Sequence, residues 1–440
     1  MRKDNHWIAL TLLAVLLAGA PYAQPENWPQ WRGPFFDGST TETNLPASWD
    51  RETGKNIAWT TPLPGPSGST PIVWGDRIFI SSIDVEVKGL VAMCVSAKDG
   101  KVLWRHAVGK DRAYPRNNMA SPSPVADGAN NRVYFTYGTG EIFAFDFDGK
   151  MLWQKDIEKE HGKLAILFGY SNTPLLWEGR LYVLVMQRKH AIIKEQEDGR
   201  PKPSYLLAVD PATGKELWKH IRPTDARDEA QESYTTPMPH VAPDGSKQII
   251  LYGGDYLTAH DPATGKELWR WRGYNLEHVN HWRVVPSALV SPELIYVSGP
   301  KKEPLFAVKT GGKGALAAES VAWKFETYSS DAATPLLYKG RLFVLDGDKR
   351  IMTCLDPKTG KQIWQTSVST KKDVWRASPT GADDKIYCMS ERGEVVVFAA
   401  GDGKVLFRTD MSGPYARSTI VAANGQLLIR TAKALYCIRK

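Results

Sequence analysis

Ala208-Val-Asp-Pro-Ala-Thr-Gly214-Lys-Glu-Leu-Trp218 returns almost unchanged as Ala259-His-Asp-Pro-Ala-Thr-Gly265-Lys-Glu-Leu-Trp269. A third copy is Cys354-Leu-Asp-Pro-Lys-Thr-Gly360-Lys-Gln-Ile-Trp364. Looser copies are Cys94-Val-Ser-Ala-Lys-Asp-Gly100-Lys-Val-Leu-Trp104 and the shortened Ala144-Phe-Asp-Phe-Asp-Gly149-Lys-Met-Leu-Trp153. A phrase that recurs at regular spacing marks stacked supersecondary units. Alternating apolar residues before it, such as Leu206 and Ala208, make a half-buried strand. Asp-Pro-x-Thr-Gly then reads as a tight turn: Asp bonds its own backbone, Pro presets φ, and Gly supplies the left-handed residue. Lys-x-Leu-Trp begins the returning strand. One hairpin buries too little to stand alone, so each Trp is expected to be buried against a neighbouring unit.

This phrase resembles the tryptophan-docking motif of the pyrroloquinoline-quinone (PQQ) propeller repeats. The resemblance covers roughly residues 56–440 and implies an all-β propeller. The docking Trp and its equivalents fall at Trp59, Trp104, Trp153, Trp218, Trp269, Trp323, Trp364 and Phe407. Successive gaps are 45, 49, 65, 51, 54, 41 and 43 residues, each enough for a four-stranded blade. After Phe407 only 33 residues remain, with strand-like runs at 418–422, 426–431 and 434–439. The fourth strand is available around Trp59. The expectation is therefore eight blades, the last closed by the N-terminal strand, which removes exposed edges from the ring. Seven blades is the alternative if the degenerate unit at Ala307–Trp323 does not form separately.

Each unit also opens with a phrase ending in Pro or a small residue, as in Ser69-Thr-Pro71, Ser171-Asn-Thr-Pro174, Tyr234-Thr-Thr-Pro237, Ala333-Thr-Pro335 and Ala377-Ser-Pro379. Three positions before the opening residue stand Arg283, Arg376 and Arg417, and four before it stand Tyr170, Trp282 and Trp375. Arg116 and Asn117 lie in the corresponding approach of another unit, as does Tyr234. This register places aromatic and guanidinium groups from several blades on one channel rim. Such a rim suits an anionic, partly aromatic ligand or an acidic peptide. The alternative is that these residues pair with acidic neighbours and cement the blades. His278 and His281 form a polar pair just upstream, able in type to bind metal or move protons, but without a third ligand. No metal site and no catalytic residue is assigned. A charged insertion, Gln187–Ser204, is expected to project as a long hairpin loop.

The termini add three expectations. Residues 1–23 read as an export signal, with Arg2 and Lys3 before the apolar run Trp7–Ala18. Residues 24–55 are a Trp/Pro-rich segment, carrying Trp28, Trp31 and Trp49, expected to lie against the propeller of residues 56–440. No Cys stands near the signal, so the expected product is periplasmic or secreted and not a lipoprotein. No later apolar run is long enough to span a membrane. The four Cys have no metal or haem spacing. Three of them, Cys94, Cys354 and Cys437, fill a slot taken by Ala in other units, so free core thiols are expected. The formal net charge of +8 is spread over repeat lysines, with no basic block for nucleic acid.

The resemblance admits two functions. PQQ-dependent dehydrogenases of this family carry the quinone with Ca²⁺ over the channel and act on alcohols or sugars. Their vicinal cysteine pair is missing here, and no calcium set or catalytic Asp can be matched. The chain is more similar to the propeller subunit of the outer-membrane β-barrel assembly machinery, a periplasmic scaffold. The favoured expectation is an exported binding or scaffold propeller that meets a protein partner or a small anionic ligand.

Overall fold

In a computed structural model, which describes residues 27–112, 117–301, 303–327 and 329–440, the repeat becomes eight antiparallel sheets arranged as a propeller. Blade 1 runs Ile72–Trp74, Arg77–Asp84, Gly89–Ser96 and Val102–Lys110 from the channel outward. Blades 2 to 7 repeat this order, blade 4 adding a short fifth strand, Gly314–Ala315, parallel to its outermost one. Innermost strands touch their neighbours around the channel, Ile72–Trp74 beside Val125–Asp127, and Thr380–Ala382 beside Val421–Ala423. The degenerate unit is a blade in its own right, blade 5, in which Ala307 stands opposite Trp323. Blade 8 takes Val421–Ala423, Gln426–Arg430 and Ala434–Ile438 from the C-terminal end, and Ile57–Pro62 from the other. Trp59 pairs with Cys437 and Thr61 with Leu435, so the ring closes as eight.

The repeated phrase has a mechanical explanation. In every blade the residue opposite the docking Trp is small or slender: Ala144, Ala208, Ala259, Ala307, Cys94, Cys354 or Cys437, with Val397 opposite Phe407. Six of the eight rings then lean onto the turn glycine of the next blade: Trp59 on Gly100, Trp104 on Gly149, Trp153 on Gly214, Trp218 on Gly265, Trp323 on Gly360 and Trp364 on Gly403. A Cβ at Gly265 would lie 2.4 Å from the Trp218 ring, so nothing larger than glycine fits there. Indole N–H groups reach the same turn, Trp104 to the Phe147 carbonyl (3.0 Å) and Trp153 to that of Pro211 (3.1 Å). Trp59 and Trp269 are buried, and Trp104, Trp153, Trp218, Trp323, Trp364 and Phe407 keep a minor part of their surface exposed. All four cysteines are buried and unpaired, and burial pushes the Cys94 thiol up to about 12.

The opening phrases make a second, inner set of joints. At six of the eight joints the Ser or Thr hydroxyl of the opening phrase accepts the backbone N–H of its counterpart in the preceding blade. Thr419 N–H donates to Thr70 Oγ1 (3.3 Å), Thr70 to Ser123 (3.0 Å) and Ser123 to Thr173 (3.0 Å). Beyond a gap, Thr236 donates to Ser287 (2.8 Å), Ser287 to Thr334 (2.9 Å) and Thr334 to Ser378 (3.0 Å). Pro cannot donate and fixes the chain direction; the hydroxyl beside it supplies the missing link. Hydrogen bonds on the inside and rings on the outside hold adjacent blades.

Residues 27–42 lie across one face of the ring. Trp28 pairs with Val73 of blade 1 through two 2.9 Å backbone bonds, and Pro29 accepts from Ala126 of blade 2. The buried Arg32 guanidinium donates to the Pro335 carbonyl at the start of blade 6 (2.7 Å), and Ser39 bridges Gly381 of blade 7. The Glu42 carboxylate accepts from Asn424 and Gly425 of blade 8 (2.7 and 2.8 Å). Trp28 and Trp49 are buried. The export-signal reading falls outside the described residues.

Candidate functional site

The strap formed by residues 27–42 leaves the channel blind at one end and open at the other. The open end is the face of the connectors that lead from each outermost strand to the next blade. There a chamber of about 230 Å³ is built from two tiers. The deeper tier consists of joint hydroxyls, Ser123, Thr173, Thr236, Ser378 and Thr419. Two residues earlier in each connector stands the upper tier, one position per blade: Gly68, Ser121, Ser171, Tyr234, Val285, Ala332, Arg376 and Arg417. Trp31 from the strap also lines it, and Asn117, Phe168, Arg283 and Asp331 complete the lining.

Three arginines from different connectors therefore line one chamber, each beside a carboxylate. Arg376 and Arg417 both donate to Glu391 Oε1 (2.8 and 2.6 Å). Arg283 donates to Glu229 (2.7 Å) and lies 5.0 Å above the Phe168 ring. Asp331 stands 3.7 Å from the Lys301 ammonium. Tyr234 donates to Glu232, which also binds Arg188; the burial of Glu232 raises its pKa, opposed by its bonds to Tyr234 and Arg188. The insertion 187–204 does not project. Gln196 and Lys202 are buried as it folds back over the 158–166 segment, Gln196 donating to Ile166 and Lys202 to Lys163.

Of the remaining predicted rim residues, Trp375 and Tyr170 lie elsewhere for a plain physical reason. Consecutive residues of an extended connector point to opposite sides. The position before the upper tier faces the blade interior, so Trp375 and Tyr170 are buried in hydrophobic clusters. Trp282 lines a separate groove with Glu277, Glu303 and Phe306. His278 lies against Arg272, 3.6 Å from buried Asp255, and His281 is exposed beside Asn280. Arg116 lies outside the described residues. Sequence reading missed Glu229 and Glu391, which sit in connectors and turns without repeat register. It also missed Trp31 as part of the lining. Among the described residues, the one His/acid group whose ligand atoms all lie within 4.8 Å of one another is Glu160, His161 and Glu216, which is flanked by the Lys155 and Lys219 ammonium groups and does not line the chamber.

A family model described as "Outer membrane protein assembly factor BamB" matches residues 38–204, 202–372 and 347–437. The chain belongs to this family. Among solved structures it is similar to BamB from Moraxella catarrhalis, with a TM-score of 0.62 at 14% identity, covering 86% of this chain and 98% of that one. It is also similar to the quinohemoprotein alcohol dehydrogenase from Comamonas testosteroni, with a TM-score of 0.63 at 12% identity, covering 93% and 80%. Identities this low speak for the fold alone. A curated relative, quinohemoprotein alcohol dehydrogenase ADH-IIG from Pseudomonas putida, is 30% identical over 177 residues, 38% of this chain and 20% of that protein. BamB from Yersinia pestis is 32% identical over 95 residues, 20% of this chain and 24% of that protein. The matched stretches span less than a third of each curated relative.

Membership of a family with dehydrogenase relatives raises the question of a quinone held with calcium. The chamber does not fit that pair. Ca²⁺ takes about six to eight oxygen ligands with carboxylates among them, whereas Asp331 is the one carboxylate among the described lining residues. Glu391 is already engaged by two guanidinium groups. The volume also falls below the roughly 300 Å³ at which pockets begin to hold drug-sized ligands.

Proposed function

We propose that this BamB-family chain is an exported, non-catalytic binding propeller that presents the open mouth of its channel to a ligand or partner. The observation that carries this reading is a chamber closed on one face by the strap and lined at the other by Arg283, Arg376 and Arg417. A blind chamber favours capture over passage. Guanidinium groups grip planar anions through paired donors and stack on rings, and Phe168 and Tyr234 stand beside them. Among the described residues, the upper-tier positions are otherwise filled by small or uncharged residues. Export is supported by the charged and apolar run at residues 2–18.

A second reading, a PQQ-dependent dehydrogenase of alcohols or sugars, is favoured by the partial identity with ADH-IIG. The two are separated by mixing the purified protein with PQQ and Ca²⁺ and following reduction of an artificial dye with alcohols and sugars. Binding without chemistry should leave dye reduction at the protein-free rate. Calcium-dependent turnover abolished by a chelator would replace the binding reading with the dehydrogenase.

A further inference from the structure

We infer that the chamber takes a small dicarboxylate, no larger than a single ring and held without metal, an inference that rests on the binding role proposed above. It follows from counting which hydrogen-bonding capacity the protein itself leaves unused. Joint hydroxyls are committed in one direction only. Ser123, Thr173 and Ser378 each accept a backbone N–H from the preceding blade, at 3.0 Å in all three. Among the described residues none of them donates its own proton to a protein acceptor. A hydroxyl carries one donor beside its acceptor lone pairs, so these three face the chamber with an O–H to give. Thr236 Oγ1 has no protein partner among the described residues and lines the same tier.

The mouth continues the pattern. A guanidinium has five N–H donors. Arg283 and Arg376 each use Nη1 on one carboxylate oxygen, and their other N–H groups have no protein acceptor among the described residues. Asn117 Oδ1 accepts from Ser121, so its amide leaves N–H donors over. The lining thus offers donors at two depths, with Asp331 as the only carboxylate among its described residues and Trp31 and Phe168 as flat apolar surface. Cationic and donor-rich ligands would leave these protons unmatched, whereas a molecule with oxygen acceptors at both ends matches both tiers. Guanidinium–carboxylate bonds at the mouth are charge-assisted and the strongest available. The cavity of about 230 Å³ limits the body between the two carboxylates to one ring or a short chain.

Isothermal titration of the full chain with terephthalate, succinate, inorganic phosphate and benzamidine tests this. Expected is one-to-one binding of at least one dicarboxylate, with benzamidine silent. The combined Arg283→Ala and Arg376→Ala changes should weaken it at least tenfold. Thr236→Val should weaken it at least threefold with an unchanged unfolding midpoint, since Thr236 Oγ1 makes no inter-blade bond; if the arginine variant does not fold, this change decides alone. Silence of both dicarboxylates, binding of phosphate alone, equal binding of benzamidine, or affinity indifferent to these substitutions would overturn the inference. Calcium-dependent dye reduction would remove the binding role itself, whereas loss of dicarboxylate binding without turnover removes only the ligand class.

Discussion

His260 shows how a repeat tolerates an odd residue at a stated cost. It occupies the position of Val209 and Leu355 in the other copies of the docking phrase, and it is buried. The ring bonds the Gly265 carbonyl through Nδ1 (2.9 Å) and Thr258 Oγ1 through Nε2 (3.0 Å), which suits a neutral imidazole donating from Nδ1 and accepting at Nε2. Burial lowers its pKa to about 3, against an ordinary value of 6.5. The unfolded chain therefore binds a proton that the folded chain refuses between those values. Stability from this site is complete above about pH 6.5 and falls as pH drops toward 3. Expected is a fall in unfolding midpoint from pH 7.5 to pH 5 that shrinks in His260→Gln; an equal fall in both proteins would assign it to other groups. Asp255, pushed up to about 6 chiefly by its burial, acts in the opposite direction, since it gains a proton in the fold before it would in the unfolded chain.

At the scale of the element, docking rings and joint hydroxyls divide the work between blades. The energetic share of a ring follows its burial. Trp269 is 1% exposed and donates to Gln248 (3.1 Å), whereas Trp218 is half-buried. Trp269→Ala should cost about 3–5 kcal/mol, the usual cost of emptying a buried aromatic site. Trp218→Ala should cost less, in proportion to the smaller apolar area it removes from water. Denaturant midpoints of the two variants check the order; equal losses would show that burial does not rank them. The phrase was readable because its residues answer local demands: Asp, Pro and Gly for the turn, Ala or Cys opposite Trp, Ser or Thr before Pro. Arg376 and Arg417 were readable because the opening residue sets their height, whereas Arg283 stands two residues before its blade's upper-tier position, Val285. Trp282, Trp375 and Tyr170 were misplaced because height alone does not tell which side of an extended connector a residue faces. Glu229, Glu391 and Trp31 had no repeat register at all, and they reach the chamber only through tertiary folding.

The whole molecule is a ring closed from both ends of the chain and stoppered by a strap that crosses it. Closure through Trp59 opposite Cys437 couples the strap to blade 8, and Glu42 ties it to the turn at Asn424 and Gly425 of the same blade. Trp31 of that strap also lines the chamber, so the site includes a residue from outside the blades. The central claim is that arginines from separate connectors serve one occupant. It is tested by labelling the arginines with phenylglyoxal and reading each by peptide mass spectrometry, with and without saturating terephthalate. Expected is joint protection of Arg283, Arg376 and Arg417, with Arg392, whose side chain is 79% exposed on the same face, labelled equally in both samples. Protection of Arg392 to the same degree, or no protection of the three, would contradict it.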